Sequence, residues 1–226
     1  MIPVALYGVD ADLCERFFEA LPHLVNDAYE DLSYIESLYA VEADHSIEHV
    51  RIADQWASRD PYAWPEDIVN EVEMVLRTTV YPDVALLEHL MTLDGVDAQR
   101  ISEWMHFSTN LFPIYSKKAC ETLQRMGLDT PYRPDDIASY GLYVSRIEGL
   151  KLHAPAAGLP EIGLPRTRML QLGLERFESK ISSSISDCSS SPPSGDSAGL
   201  RDASLRLTPL RFWPLGHAMS SPVLAS

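Results

Sequence analysis

A mainly α-helical domain followed by a disordered tail is the fold class the sequence predicts, and three observations carry it. Apolar residues recur at three- and four-residue spacing over most of residues 10–178, the period of a helix face. Strand-like patterning is sparse apart from Ile2–Tyr7. From Ser179 to Ser197, ten of nineteen residues are serine, and such a stretch cannot bury enough apolar area to offset its ordering entropy. The expected division is one helical domain over 1–178, with an acidic part over 1–64 and a core over 65–178, then a disordered tail over 179–226.

Taken in order, Ile2–Tyr7 suits one short strand or an extended lead-in, and Asp10 or Asp12 then caps a helix. Ala28, Leu32, Ile35 and Leu38 share one helical face, and that pattern runs on, more polar, toward Trp56. Asp60-Pro61 and Trp64-Pro65 break the chain. Pro65 with Glu66 and Asp67 suits a helix first turn, with Ile68, Val69, Val72, Val75, Leu76 and Val80 as the apolar stripe behind it. After Tyr81-Pro82-Asp83, short helices are expected over Val84–Leu93, Ala98–Phe107 and Ser116–Met126, the last closed by Gly127. Pro131 and Pro134 precede a helix near 135–149, and Pro155, Gly158 and Pro160 precede a last helix near 165–178.

The 226 residues suffice for one domain with a real core. No apolar run approaches the roughly 18–20 residues of a membrane span. The opening MIPVALYGVDAD has neither the basic nor the long apolar region of a secretory signal. Cys14, Cys120 and Cys188 are odd in number and widely spaced, which excludes a disulfide framework and a cysteine-rich zinc cluster. A cytoplasmic protein without membrane association is expected. The net charge of −15 is uneven: residues 1–75 hold 17 Asp and Glu against 3 Lys and Arg, residues 76–178 hold 13 against 11, and residues 179–226 hold 3 against 4. An acidic surface repels phosphates, so any nucleic-acid contact belongs to the middle of the chain.

The most informative stretch is 84–128, VALLEHLMTLDGVDAQRISEWMHFSTNLFPIYSKKACETLQRMGL. Two short helices flank Leu93-Asp94-Gly95-Val96-Asp97; a loop ending Phe112-Pro113-Ile114-Tyr115 leads to a helix ending Arg125-Met126-Gly127-Leu128. The stretch resembles the helix-hairpin-helix core of the base-excision DNA glycosylases, the helix-hairpin-helix–Gly-Pro-Asp superfamily. The likeness extends loosely to the helices at 65–80 and 165–178. It implies a glycosylase-like helical domain over 65–178. It also implies a hairpin whose backbone N–H groups grip a DNA phosphate without reading sequence.

The residues that the resemblance assigns to DNA are Gly95, Val96 and Arg100 at the hairpin, with Lys117 and Lys118 at the following helix start. Asp97 stands where the family has a second glycine. The family's Schiff-base lysine falls on Gln99 and its catalytic aspartate on Ser116. A glutamine forms no Schiff base, and a serine does not stabilise an oxocarbenium-like sugar or activate water as a carboxylate does. The expectation is a catalytically degenerate relative that binds DNA weakly or serves as a non-catalytic module. A relocated acid would be Asp135 or Asp136.

Two other readings come from the residues themselves. His45-Ser46-Ile47-Glu48-His49 matches H-x-x-E-H, with both histidines on one helical face as zinc ligands, Glu48 as base and Glu121 as a further ligand. Its context of Glu42, Asp44, Arg51 and Asp54 is that of a solvated face, so no cofactor is expected and zinc is the alternative. The acidic N-terminal third also carries Phe17, Phe18, Tyr29, Tyr34, Tyr39, Trp56, Tyr62 and Trp64. Acid with aromatics suits an inhibitor- or immunity-type module that binds a basic protein through residues 1–75. His106 reads as a core histidine, Cys120 as buried packing, and Tyr140 and Tyr143 as core or cleft lining.

Overall fold

A computed structural model of the chain describes residues 3–28, 31–43, 48–66, 68–69, 72, 84–154 and 159–187. Eight helices occupy most of them: α1 (Ala11–Leu24), α2 (Leu32–Ala43), α3 (Glu48–Trp56), α4 (Val84–Leu90), α5 (Ala98–Thr109), α6 (Lys117–Arg125), α7 (Ile137–His153) and α8 (Arg166–Asp187). No strand occurs among the described residues. The chain is mainly helical, and no described helix is long and apolar enough to cross a membrane.

Local chemistry sets the helix ends. Asp10 caps α1 by accepting from the Leu13 N–H at 3.0 Å. Asp97 caps α5, Ser116 caps α6 and Asp136 caps α7 in the same way, each satisfying a backbone donor that the first turn leaves without an internal partner. At the far end of α6, Gly127 takes φ +85°. The Leu128 N–H then reaches the Leu123 carbonyl at 2.9 Å and the Gly127 N–H reaches Gln124 at 3.0 Å, the paired bonds that close a helix on a left-handed glycine.

Two expectations are corrected. Val4–Leu6 forms a single 3-10 turn, not a strand or an extended lead-in. Its Leu6 is fully buried, the Arg146 guanidinium donates to the Ala5 carbonyl, and a Cβ at Gly149 on α7 would stand 3.0 Å from Ala5 and Leu6. Packing on a helix, with no strand alongside to take its backbone bonds, favours the turn. The last helix does not stop near 178 but runs to Asp187, because adding residues to an existing helix costs far less than starting one. The helix thus continues into the stretch expected to be a disordered tail; residues 188–226 lie outside the described residues. So do most of the expected stripe at 68–80 and both Tyr81 and Pro82, although Val72 is buried.

The acidic first third does not stand apart from the rest. α1 packs on α8, α3 and α2 pack on α5, and α8 also packs on α6 and α7. Phe17 and Phe177 meet edge to face at 5.5 Å. A Cβ at Gly173 would stand 2.4 Å from Leu21 Cδ1, so α1 and α8 approach where α8 has no side chain. Trp104, Tyr34, Tyr115, Tyr140 and Tyr143 are among the largest fully buried side chains.

Candidate functional site

A tight turn joins α4 to α5. α4 ends at Leu90, and Leu93-Asp94-Gly95-Val96 makes a tight turn closed by Val96 N–H to Leu93 carbonyl at 3.2 Å. Gly95 takes φ +70° and no other heavy atom lies within 4 Å of where its Cβ would be, so the turn needs glycine for its backbone and not for space. The N–H groups that a phosphate would use are largely taken. Ala98 N–H donates to the Pro134 carbonyl at 2.8 Å, and Arg100 N–H to the Asp97 carboxylate at 2.7 Å. Asp97 fills the anion position of α5 with its own charge.

Arg100, expected at DNA phosphates, is held inside the protein. Its Nε and one terminal nitrogen donate to the Asp54 carboxylate at 2.9 and 2.8 Å, and it also reaches the Asp60 and Gly95 carbonyls at 3.0 and 3.2 Å. The guanidinium lies 5.0 Å from the Tyr62 ring centre and 5.3 Å from Trp104. Asp54 is fully buried and accepts further bonds from Trp104 Nε1 at 3.0 Å and Tyr62 N–H at 2.9 Å. Four donors from α5 and the loop after α3 thus satisfy one buried carboxylate. Asp54, placed with the solvated acidic face from sequence, is an internal clamp between α3 and α5.

Gln99, Ser116, Lys117 and Lys118 instead converge on one cavity of about 420 Å³, between α5, the start of α6 and α8. Trp56, Glu103, Tyr115, Tyr132, Arg168, Gln171 and Glu175 also line it. On the α5 wall, Tyr132 hydroxyl donates to Gln99 Oε1 at 2.6 Å, Gln99 Nε2 donates to Glu103 at 3.2 Å, and the Arg59 guanidinium takes both Glu103 oxygens. Burial pushes the Glu103 carboxyl above its usual range, and Arg59 works against that. Ser116 caps α6 with a long bond of 3.4 Å from the Ala119 N–H. Lys117 and Lys118 are exposed beside it.

The α8 wall escaped the sequence reading. Arg168, Gln171 and Glu175 follow one another at three- and four-residue steps along α8, and that spacing was the available signal. Arg168 is 6% exposed, lies over the Tyr34 and Trp56 rings at 4.8 and 5.3 Å, and stands 4.0 Å from Asp31. Among the described residues its Nε has no hydrogen-bond partner, nor has Oε1 of Gln171, which is 2% exposed. Gln171 Nε2 donates to Glu175 at 3.1 Å.

The remaining candidates are dispersed. His45 lies outside the described residues, and so does the side chain of Glu48. His49 is buried on α3, while Glu121 is an exposed α6 residue 4.0 Å from Lys117. Among the described residues, no three His, Cys, Asp or Glu groups are placed to hold a metal ion. His106 is a core histidine: Nδ1–H donates to the Phe112 carbonyl at 2.6 Å, so Nε2 accepts from the Tyr34 hydroxyl at 2.8 Å. Burial lowers its pKa to about 4. Cys120 is buried packing, its thiol pushed up to about 12 by burial, so the neighbouring lysines do not activate it. Tyr140 and Tyr143 are core residues. Asp136 is committed to capping α7, and neither it nor Asp135 lines the cavity. In the acidic third, Asp10 and Asp31 bond the first turns of α1 and α2, and Asp27 pairs with Arg176.

Comparison with protein-family models, curated proteins and solved structures found no match to this chain.

Proposed function

We propose that this chain is a helix-hairpin-helix protein of the DNA-glycosylase type that binds DNA without base-excision chemistry. Its contact surface is the mouth of the cavity at Ser116–Lys118, and the hairpin at Gly95 and Val96 serves as a structural turn. One observation carries this reading. Gln99 and Ser116 were assigned to the family's two catalytic positions from sequence order alone, and these two residues, on different helices, line one cavity.

The chemistry follows from the groups there. Gln99 is an amide whose oxygen and nitrogen are both engaged. The Ser116 hydroxyl accepts the cap bond and has no hydrogen-bonded base among the described residues. Neither supports glycosidic cleavage. Lys117, Lys118 and the first turn of α6 supply what a phosphate needs: positive charge and backbone donors at a helix start.

The test is binding of the full chain to a labelled DNA duplex, with and without an abasic-site analogue, over a salt series. Binding that falls steeply with salt and is lost in Lys117→Glu/Lys118→Glu is expected. Failure to bind at the lowest salt refutes the reading. The full chain is required because truncation at residue 178 cuts α8 short of its end at Asp187.

A further inference from the structure

We infer that the exposed face of α7 binds a second copy of this chain, with Leu152 of each copy seated in an apolar pocket at Gly141 of the other. The pocket is a second cavity, of about 330 Å³, between α4, the loop before α6 and the first half of α7. It shares no lining residue with the cavity at Ser116. Leu87, Phe112, Ile137, Gly141 and Val144 line it, and Glu88 is the one charged group among its described lining residues. α7 carries two glycines in its interior, and a glycine there weakens a helix. Gly149 has a reason in the fold: a Cβ would stand 3.0 Å from Ala5 and Leu6. Gly141 has none among the described residues, since no heavy atom lies within 4 Å of where its Cβ would be. A glycine on an open helix face lets another chain approach the backbone closely.

The same face carries the side chain that fits. Gly141, Ser145, Glu148 and Leu152 follow at four-, three- and four-residue steps and form one stripe. Leu152, at the end of that stripe, is 78% exposed. It stands eleven residues beyond Gly141, about three helical turns or about 16 Å along the axis. Two copies of α7 packed antiparallel, about a twofold axis level with residues 146 and 147, bring Leu152 of each to Gly141 of the other, the self-complementarity that an isologous interface requires. The same operation sets the Ser145 hydroxyl, a donor, against the Glu148 carboxylate of the other copy, and brings Lys151 toward the pocket that Glu88 lines. Charge favours this face. Glu148 is already paired with Lys151 at 2.7 Å, so the stripe is close to neutral in a chain of net charge −15 whose acids are concentrated in residues 1–75. Like charge keeps two copies apart at that acidic third and least so here. Six large apolar side chains are exposed among the described residues, and Val4, Tyr7, Leu111 and Leu152 lie on α7 or on segments packed against it. The 3-10 turn packs on α7 at Gly149, and Leu111 precedes Phe112 in the pocket wall. Exposed apolar side chains gathered in one region mark a contact surface.

A contact of one helix with its flanks belongs to the small class of interfaces, below about 1,200 Å² in total, so the dimer is expected to form and dissociate with concentration. The full chain is sedimented in about 0.15 M sodium chloride, from about 1 µM to about 200 µM. A monomer that passes into a dimer as concentration rises is expected. Leu152→Gln and Gly141→Gln both keep the net charge and fall at exposed positions, and glutamine favours the helix over glycine. Each should weaken the dimer at least tenfold with the melting temperature of the monomer preserved. Leu32→Gln, at an apolar side chain 66% exposed on α2, should leave it unchanged. A chain that stays monomeric over the whole range, or that assembles beyond a dimer, overturns the inference. So does a dimer that survives either substitution, or that Leu32→Gln weakens as much. Duplex binding is measured on the same samples: a monomer that binds DNA removes this inference alone, and a dimer that binds no DNA removes the DNA reading alone.

Discussion

The first turn of α5 is closed and the first turn of α6 is open, although each begins on a polar cap residue within the same 45-residue stretch. At α5, the Asp97 carboxylate takes the Arg100 N–H at 2.7 Å, the Pro134 carbonyl takes Ala98 N–H, and Asp54 holds the nearest guanidinium. At α6, the cap is an uncharged hydroxyl at 3.4 Å, the flanking cations are exposed, and a cavity lies in front. A glycine turn before a helix therefore does not by itself make an anion site. What decides it is whether the fold has already supplied the anion.

The largest effect expected from breaking this contrast is at Asp54. Asp54→Ala leaves Arg100 charged and half-enclosed without its carboxylate, and should cost about 3–5 kcal/mol in urea unfolding. A loss under about 1 kcal/mol would mean that Arg100 is free to turn outward, and the closed reading of α5 would fail. The connection between the two helices supplies the next effect, through His106 and its bond to Phe112. The folded imidazole titrates near 4 and the unfolded one near 6.5. The folded state therefore binds fewer protons between those values, and stability is lost as pH falls through that window, by roughly 3 kcal/mol. Glu103, raised by burial, pulls the other way. The effect is thus read as the difference in pH profile between the chain and a His106→Gln variant; coincident profiles would refute it.

The two caps themselves give the smallest effects and compare the regions most directly. Asp97→Ala should destabilise by about 1–2 kcal/mol and Ser116→Ala by about 0.5 kcal/mol, because one bond is short and charge-assisted while the other is long and neutral. Equal losses in chemical denaturation would put the two helix starts on the same footing and undo the contrast.

Much of the helical layout was legible because caps are local. Asp10, as one of two candidates with Asp12, and Gly127 are readable from their immediate neighbours, and each acts on backbone groups within five residues. The 3-10 turn at Val4–Leu6 was not legible: apolar residues in a short run fit a strand or a turn until Gly149 shows what they pack on. Gln99 and Ser116 were found through the resemblance, whereas Arg168, Gln171 and Glu175 were passed over, because a polar stripe on an amphipathic helix reads as its solvent face.

By itself the sequence determined where α1, α5 and α6 start, that the chain turns at Gly95, and that no carboxylate stands at position 116, since these depend on residue type and near neighbours. Only the tertiary structure decided that Asp54 is an internal clamp and not surface charge, that Arg100 is spoken for, and that residues from α5, α6 and α8 share one cavity. The physical reason is distance along the chain. Charges and amides separated by 46 or more residues, as Asp54 and Arg100 are, meet only after the apolar faces have packed, and local pattern carries no record of which pairs that packing brings together.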